Sequence, residues 1–138
     1  MKSDRKMPLK DYIAGGAIAN AIAWLTYGIS SFSPINPLTL AYLLVVTYLV
    51  GSIIGGLLVG RKIRREYVKT GLLTGLFSFV VHVYIFIGVF WLFSSPTLPL
   101  EWHAIVFSVL LLGSCLGVFL SKLIVLRKYE PQKSSPTE

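Results

Sequence analysis

Few side chains in this 138-residue sequence offer chemistry, and they stand far apart. Between Thr70 and Leu100 the only group that could carry charge near neutral pH is His82. An ionisable residue inside an apolar run is a functional-site candidate by default. It could relay protons, line a polar path or bind a ligand. Ser78 stands one helical turn before it, and Asn20 sits among alanines in an earlier apolar run. Asn20, Ser78 and His82 are therefore the candidate polar path, and Ser78, Asn20 and Tyr27 the candidate hydrogen-bond partners of a neutral His82 imidazole. The competing role for all three is hydrogen bonding between helices with no transport.

Other chemistry is thin. A bis-histidine haem would need a second histidine at the depth of His82. Counting along the chain places His103 near the opposite end of its own span, half a helix or about 15 Å away at about 1.5 Å per residue. Glu101 and His103 read as a solvated pair in a loop, at most a weak cation site. Cys115 has no cation nearby in sequence to favour a thiolate, and a single cysteine allows neither an internal disulfide nor a zinc-type Cys/His spacing. The sequence has no phosphate loop, no nucleophile–base arrangement and no carboxylate pair. No catalytic residue, cofactor or metal is expected, and no enzymatic activity. With no acid or fixed cation inside the apolar runs, an ion-coupled pump is disfavoured and a passive pore is left open.

The elements that must position these residues are set by composition. Hydrophobic residues make up 54% of the chain and charged residues 14%, against about 45–50% and about 25% in soluble domains. No charged side chain occurs from Tyr12 to Gly60, and from Trp102 to Ser121 only His103 and Cys115 are ionisable candidates. A run of about 20 apolar residues crosses a hydrocarbon core of about 30 Å, so these runs predict four transmembrane helices near residues 11–31, 38–60, 70–93 and 103–126. The predicted fold class is an all-α, polytopic integral membrane protein. Residues 1–10 read as a basic N-terminus and 127–138 as a polar, disordered tail. The first run is longer than a secretory h-region and lacks a small-x-small cleavage site, so it reads as a retained helix. The segments SSFSPINP and SSPTLPLEW read as short turns outside the hydrocarbon.

All thirteen lysines and arginines fall on one side of this topology: in the N-terminus, in the turn RKIRREYVK, and after residue 121. Short loops with this bias lie in the cytoplasm, predicting a multi-pass protein of the cell membrane with both termini cytoplasmic. Orientation accounts for the positive charge, and nucleic acid is not expected as a partner. Arg61, Lys62, Arg64 and Arg65 are the candidate contacts to anionic lipid headgroups.

Two pairs of segments resemble each other in the same order. DYIAGG (11–16) is echoed by EYVKTG (66–71), and GSIIGGLLVGRK (51–62) by GSCLGVFLSKL (113–123). The pattern suggests two helical hairpins related by duplication about an axis along the membrane normal. Glycine spacing points to the means of packing. Gly51–Gly55, Gly56–Gly60, Gly71–Gly75 and Gly113–Gly117 are G-x-x-x-G pairs, and Gly15, Ala19 and Ala23 form a softer version. Residues four apart share a helix face, and small faces let backbones approach where lipid supplies no hydrophobic drive. The stripe of Gly51, Ser52, Gly55, Gly56 and Val59 marks the second span as the most central. On the third span, Gly71, Thr74, Gly75, Ser78, His82 and Val89 share the small or polar face. Leu73, Leu76, Val80, Tyr84, Ile87 and Trp91 form the opposite, lipid-directed face, and His82 is expected near the bilayer midplane.

The stretch GGLLVGRKIRREYVKTGLLTGL resembles the central hairpin of small four-helix prokaryotic, largely archaeal, membrane proteins of unknown function. The likeness covers roughly residues 11–93 through Gly55, Gly56, Gly60, Gly71 and Gly75. It implies a fold and a compartment and carries no activity. The leading functional expectation is a non-enzymatic membrane component: an assembly subunit, or a homo-oligomer packed through glycine faces. The second is a passive channel or small-solute transporter.

Overall fold

In a computed structural model describing residues 7–63, 65–93 and 100–129, the chain forms four helices: α1 (Leu9–Ser30), α2 (Pro37–Gly60), α3 (Tyr67–Phe93) and α4 (Leu100–Tyr129). All four are long and apolar enough to cross a membrane, and no strand occurs among the described residues. This is an all-α multi-pass membrane protein. A local signal explains the start of α2. Asn36 caps α2 by accepting the amide of Leu38 at 2.8 Å, and Pro37 occupies the first turn, where a missing N–H costs nothing. α4 starts at Leu100 and continues to Tyr129, so its last turn enters the stretch read as disordered tail. Residues 1–6, Arg64, the connection 94–99 and residues 130–138 lie outside the described residues, as do the side chains of Val89 and Trp91.

The helices run up, down, up and down. α2 packs beside α1 and α4, and α3 packs beside the same two. α2 and α3 also meet across a short diagonal, whereas α1 and α4 barely touch. A two-fold relation between the hairpins would make those two diagonals equivalent, so the bundle departs from the expected axis. One end, the charged end, carries Lys10, Asp11, Arg61, Lys62, Arg65 and Lys69; the other is the far end.

Glycines set the interhelical distances. A Cβ on Gly51 would collide with the carbonyl oxygen of Ala19, and one on Gly55 with that of Gly15. These contacts clamp α2 to α1. Gly56 rests on the backbone of Ser114, Gly113 on Ser52, and Gly117 on the carbonyl of Ile53, so the repeated G-S-x-x-G segments of α2 and α4 interlock. Gly60 meets Ser121 and Val118. On the α3–α4 seam, a Cβ at Gly71 would lie 2.9 Å from Cys115 Cα, and one at Gly75 would lie 2.8 Å from Leu111 Cα. The named glycine stripes are thus occupied within one chain. Only Gly28 and Gly88 have open space around them.

Several buried hydroxyls are turned onto their own helices. Thr74 Oγ1 donates to Thr70 O, Ser78 Oγ to Thr74 O and Ser121 Oγ to Val118 O, at 2.6–2.7 Å. Such back-bonding satisfies a hydroxyl where no water is present.

Candidate functional site: a histidine pair in the far half of the bundle

α3 presents its small and polar face inward. Thr70, Thr74, Ser78 and His82 recur every four residues and are all buried. Leu72, Leu76, Val80, Tyr84 and Ile87 face outward. Asn20 of α1 is fully buried and donates through Nδ2 to Gly16 O at 2.8 Å and to Ser78 O at 2.9 Å. The structure therefore joins Asn20 to the backbone of Ser78, while the Ser78 hydroxyl is engaged with its own helix.

His82 has a different partner from those expected. Its Nδ1 lies 2.9 Å from the hydroxyl of Tyr48, on α2 across the diagonal. Tyr27, one of the expected partners, is exposed. A tyrosine within a span reads as an interfacial anchor, so sequence gave no reason to bring Tyr48 inside. The available signal was its four-residue spacing from Ser52, which continues the buried stripe of α2 toward the far end.

His103 sits close to His82, against the expectation from counting along the chain. It is not half a helix from His82: the two ring centroids are 5.6 Å apart, with the planes tilted by 58°. Register is the reason. Gly71 lies on Cys115, Gly75 on Leu111, and the Phe79 and Phe107 rings meet at 4.8 Å. Each step of four up α3 is matched by four down α4, which brings the level of His82 to the first turn of α4. The early start of α4 at Leu100 places His103 inside the helix rather than in a loop. Glu101 remains exposed and forms no pair with it. His82 lies about 22 Å along α3 from Tyr67 at about 1.5 Å per residue. Within α3 it stands just past the middle of the helix, toward the far end.

Aromatic rings enclose the pair. Phe79 and Phe86 stack on either side of His82 with centroids 6.0 and 5.9 Å away, and Phe86 meets the His103 ring edge-on at 4.7 Å. Trp102 packs against the cluster formed by Ala19, Ala23, Tyr48, Val106 and Leu110. Five buried polar atoms lack hydrogen-bond partners among the described residues: Asn20 Oδ1, Trp24 Nε1, His82 Nε2, His103 Nδ1 and Ser114 Oγ, and two of them, His82 Nε2 and His103 Nδ1, belong to the paired rings. Described residues contain no group of three or more His, Cys, Asp or Glu side chains suited to a metal.

At the charged end, Lys62 Nζ binds Asp11 Oδ1 at 2.8 Å, joining the start of α1 to the turn after α2. Of the candidate headgroup contacts, Lys62 thus has a protein partner. Arg61 and Arg65 are exposed, and Arg64 lies outside the described residues. Lys122 sits over the Tyr67 ring at 5.4 Å. No protein-family model, curated protein or solved structure matches this chain.

Proposed function

We propose that this chain is a non-enzymatic protein of the cell membrane that handles a small polar or cationic solute within the far half of its bundle. The observation that carries this reading is the pair of unpartnered, buried imidazole nitrogens on the adjoining rings of His82 and His103. Buried polar atoms are paired in the great majority of native interiors, and in lipid no water stands ready to pair them. A bundle held only for packing has no need of two such nitrogens on adjoining rings.

The test is flux from liposomes. Protein reconstituted in phosphatidylcholine vesicles should release entrapped small solutes or monovalent cations faster than empty vesicles do. His82→Ala and Asn20→Ala should change that rate while the helical circular dichroism persists. Equal leakage with wild-type protein and with none, across solutes and cations, removes this reading.

A second reading, assembly with another membrane-spanning helix, has one observation in its favour. Gly28 and Gly88 lie on the adjacent helices α1 and α3, both toward the far end, with nothing within 4 Å of a Cβ at either. Open glycines are the surfaces on which a further helix packs closely in lipid. Copurification lost in Gly88→Leu would support a partner there.

A further inference from the structure

We propose that His82 and His103 together hold one soft monovalent metal cation, of the copper(I) class, through His82 Nε2 and His103 Nδ1. This inference deepens the small-solute reading above and rests on it. Both nitrogens are buried and without partners, on rings 5.6 Å apart. Metal–imidazole bonds of about 2.0–2.1 Å put the two ring centroids about 6.4 Å apart for a linear N–metal–N angle and about 5.5 Å apart for one of about 120°, so the 5.6 Å spacing suits a bent site.

The surroundings favour a metal in two further ways. A ligating histidine characteristically donates its second ring N–H to an oxygen, which fixes the tautomer and turns the other nitrogen to the ion. His82 Nδ1 has that partner in the Tyr48 hydroxyl at 2.9 Å. The Phe79 and Phe86 rings that flank His82 exclude water, and their faces attract a cation.

Charge selects the kind of ion. The enclosing side chains are Tyr48, Phe79, Phe86, His82 and His103, with no carboxylate among them. A divalent ion would bring two uncompensated charges into a low-dielectric interior, at a large desolvation cost. A monovalent soft ion satisfied by few ligands brings one, and imidazole suits copper.

The test uses the full-length chain in phosphatidylcholine nanodiscs, with Cys115→Ala as background so that no thiol competes. Copper(I) is presented anaerobically against a chromophoric chelator. One ion per chain is expected, with affinity reduced at least 10-fold in His82→Gln and in His103→Gln. Tyr48→Phe should fall within the 10- to 100-fold loss typical of outer-shell partners. X-ray absorption at the copper edge of the unsubstituted bundle should show two imidazole nitrogens as nearest neighbours. That spectrum also decides the matter if the histidine variants fail to fold.

Binding that is absent, or unchanged when both histidines are replaced, overturns the metal site. If copper(I) does not bind but His82→Ala still alters solute flux, the metal inference falls and the solute-handling reading stands. If copper(I) binds at the pair and no flux of any solute or of copper(I) itself appears, the metal site stands and the handling reading falls.

Discussion

The imidazole of His82 and the phenol of Tyr48 meet edge-on across the short diagonal of the bundle, with 2.9 Å between Nδ1 and the hydroxyl. Membrane-interior hydrogen bonds contribute about 0.6 kcal/mol on average and up to about 1.7 kcal/mol. Tyr48→Phe should therefore lower unfolding stability in detergent by about 1 kcal/mol. A double-mutant cycle with His82→Gln should return a coupling of similar size. Additive single effects would show that the two side chains do not interact.

Gly56 and Gly88 make a matched pair of sites with opposite surroundings. A Cβ at Gly56 runs into the backbone of Ser114, while one at Gly88 meets nothing. Gly56→Ala forces α2 and α4 apart and should cost about 1–3 kcal/mol, as overpacking does. Gly88→Ala should be neutral, or gain up to about 1 kcal/mol from helix propensity. The same measurement on both, by steric trapping or by titration with a denaturing detergent, compares them directly. Equal effects would mean that contact with Ser114 is not what holds α2 and α4 at their present separation.

The Asp11–Lys62 pair closes the charged end, with the lysine exposed and the carboxylate largely covered. Exposed pairs contribute about 0–1 kcal/mol. Asp11→Asn should lie in that range at low salt and converge on the wild type near 1 M salt, where the screening length is about 3 Å. A loss that persists at high salt would assign Asp11 a role other than ion pairing.

Glu66, just before α3, adopts φ = 57°, the left-handed region. A side chain there costs about 1–2 kcal/mol, and the exposed Glu66–Lys69 pair offsets little of it. Glu66→Gly should raise the melting temperature, with a gain of about 1 kcal/mol. A lower melting temperature would show that the carboxylate matters more to the start of α3 than its backbone does.

Orientation rests on counting cations. In the Cys115→Ala background, cysteine placed at Ser33 should react with an impermeant maleimide from outside intact cells. Cysteine at Arg65 should react only after lysis. The reverse pattern would invert the topology.

Much of this architecture was readable because hydrocarbon imposes a simple rule: apolar runs of about 20 residues become helices, and small residues four apart become seams. The inward face of α3, from Gly71 to His82, follows from its own periodicity. The level of His103 was not readable, because depth counted within one helix ignores where its neighbour slides against it. That offset is set by Gly71 on Cys115 and Gly75 on Leu111, contacts between residues more than thirty positions apart. The inward turn of Tyr48, and the pairing of Asp11 with Lys62 across 51 positions, were hidden for the same reason.

Ten of the twelve glycines touch another helix or its side chains, which divides the molecule by tolerance. In a saturation library, Leu72, Leu76 and Val80 should accept nearly any apolar replacement, since they face outward from the bundle. Positions such as Gly51, Gly56 and Gly117 should accept none. Descendants of this fold can therefore drift over their whole outer surface and still close the same way. Kinship among them would survive as a rhythm of missing side chains, long after residue-by-residue identity had faded.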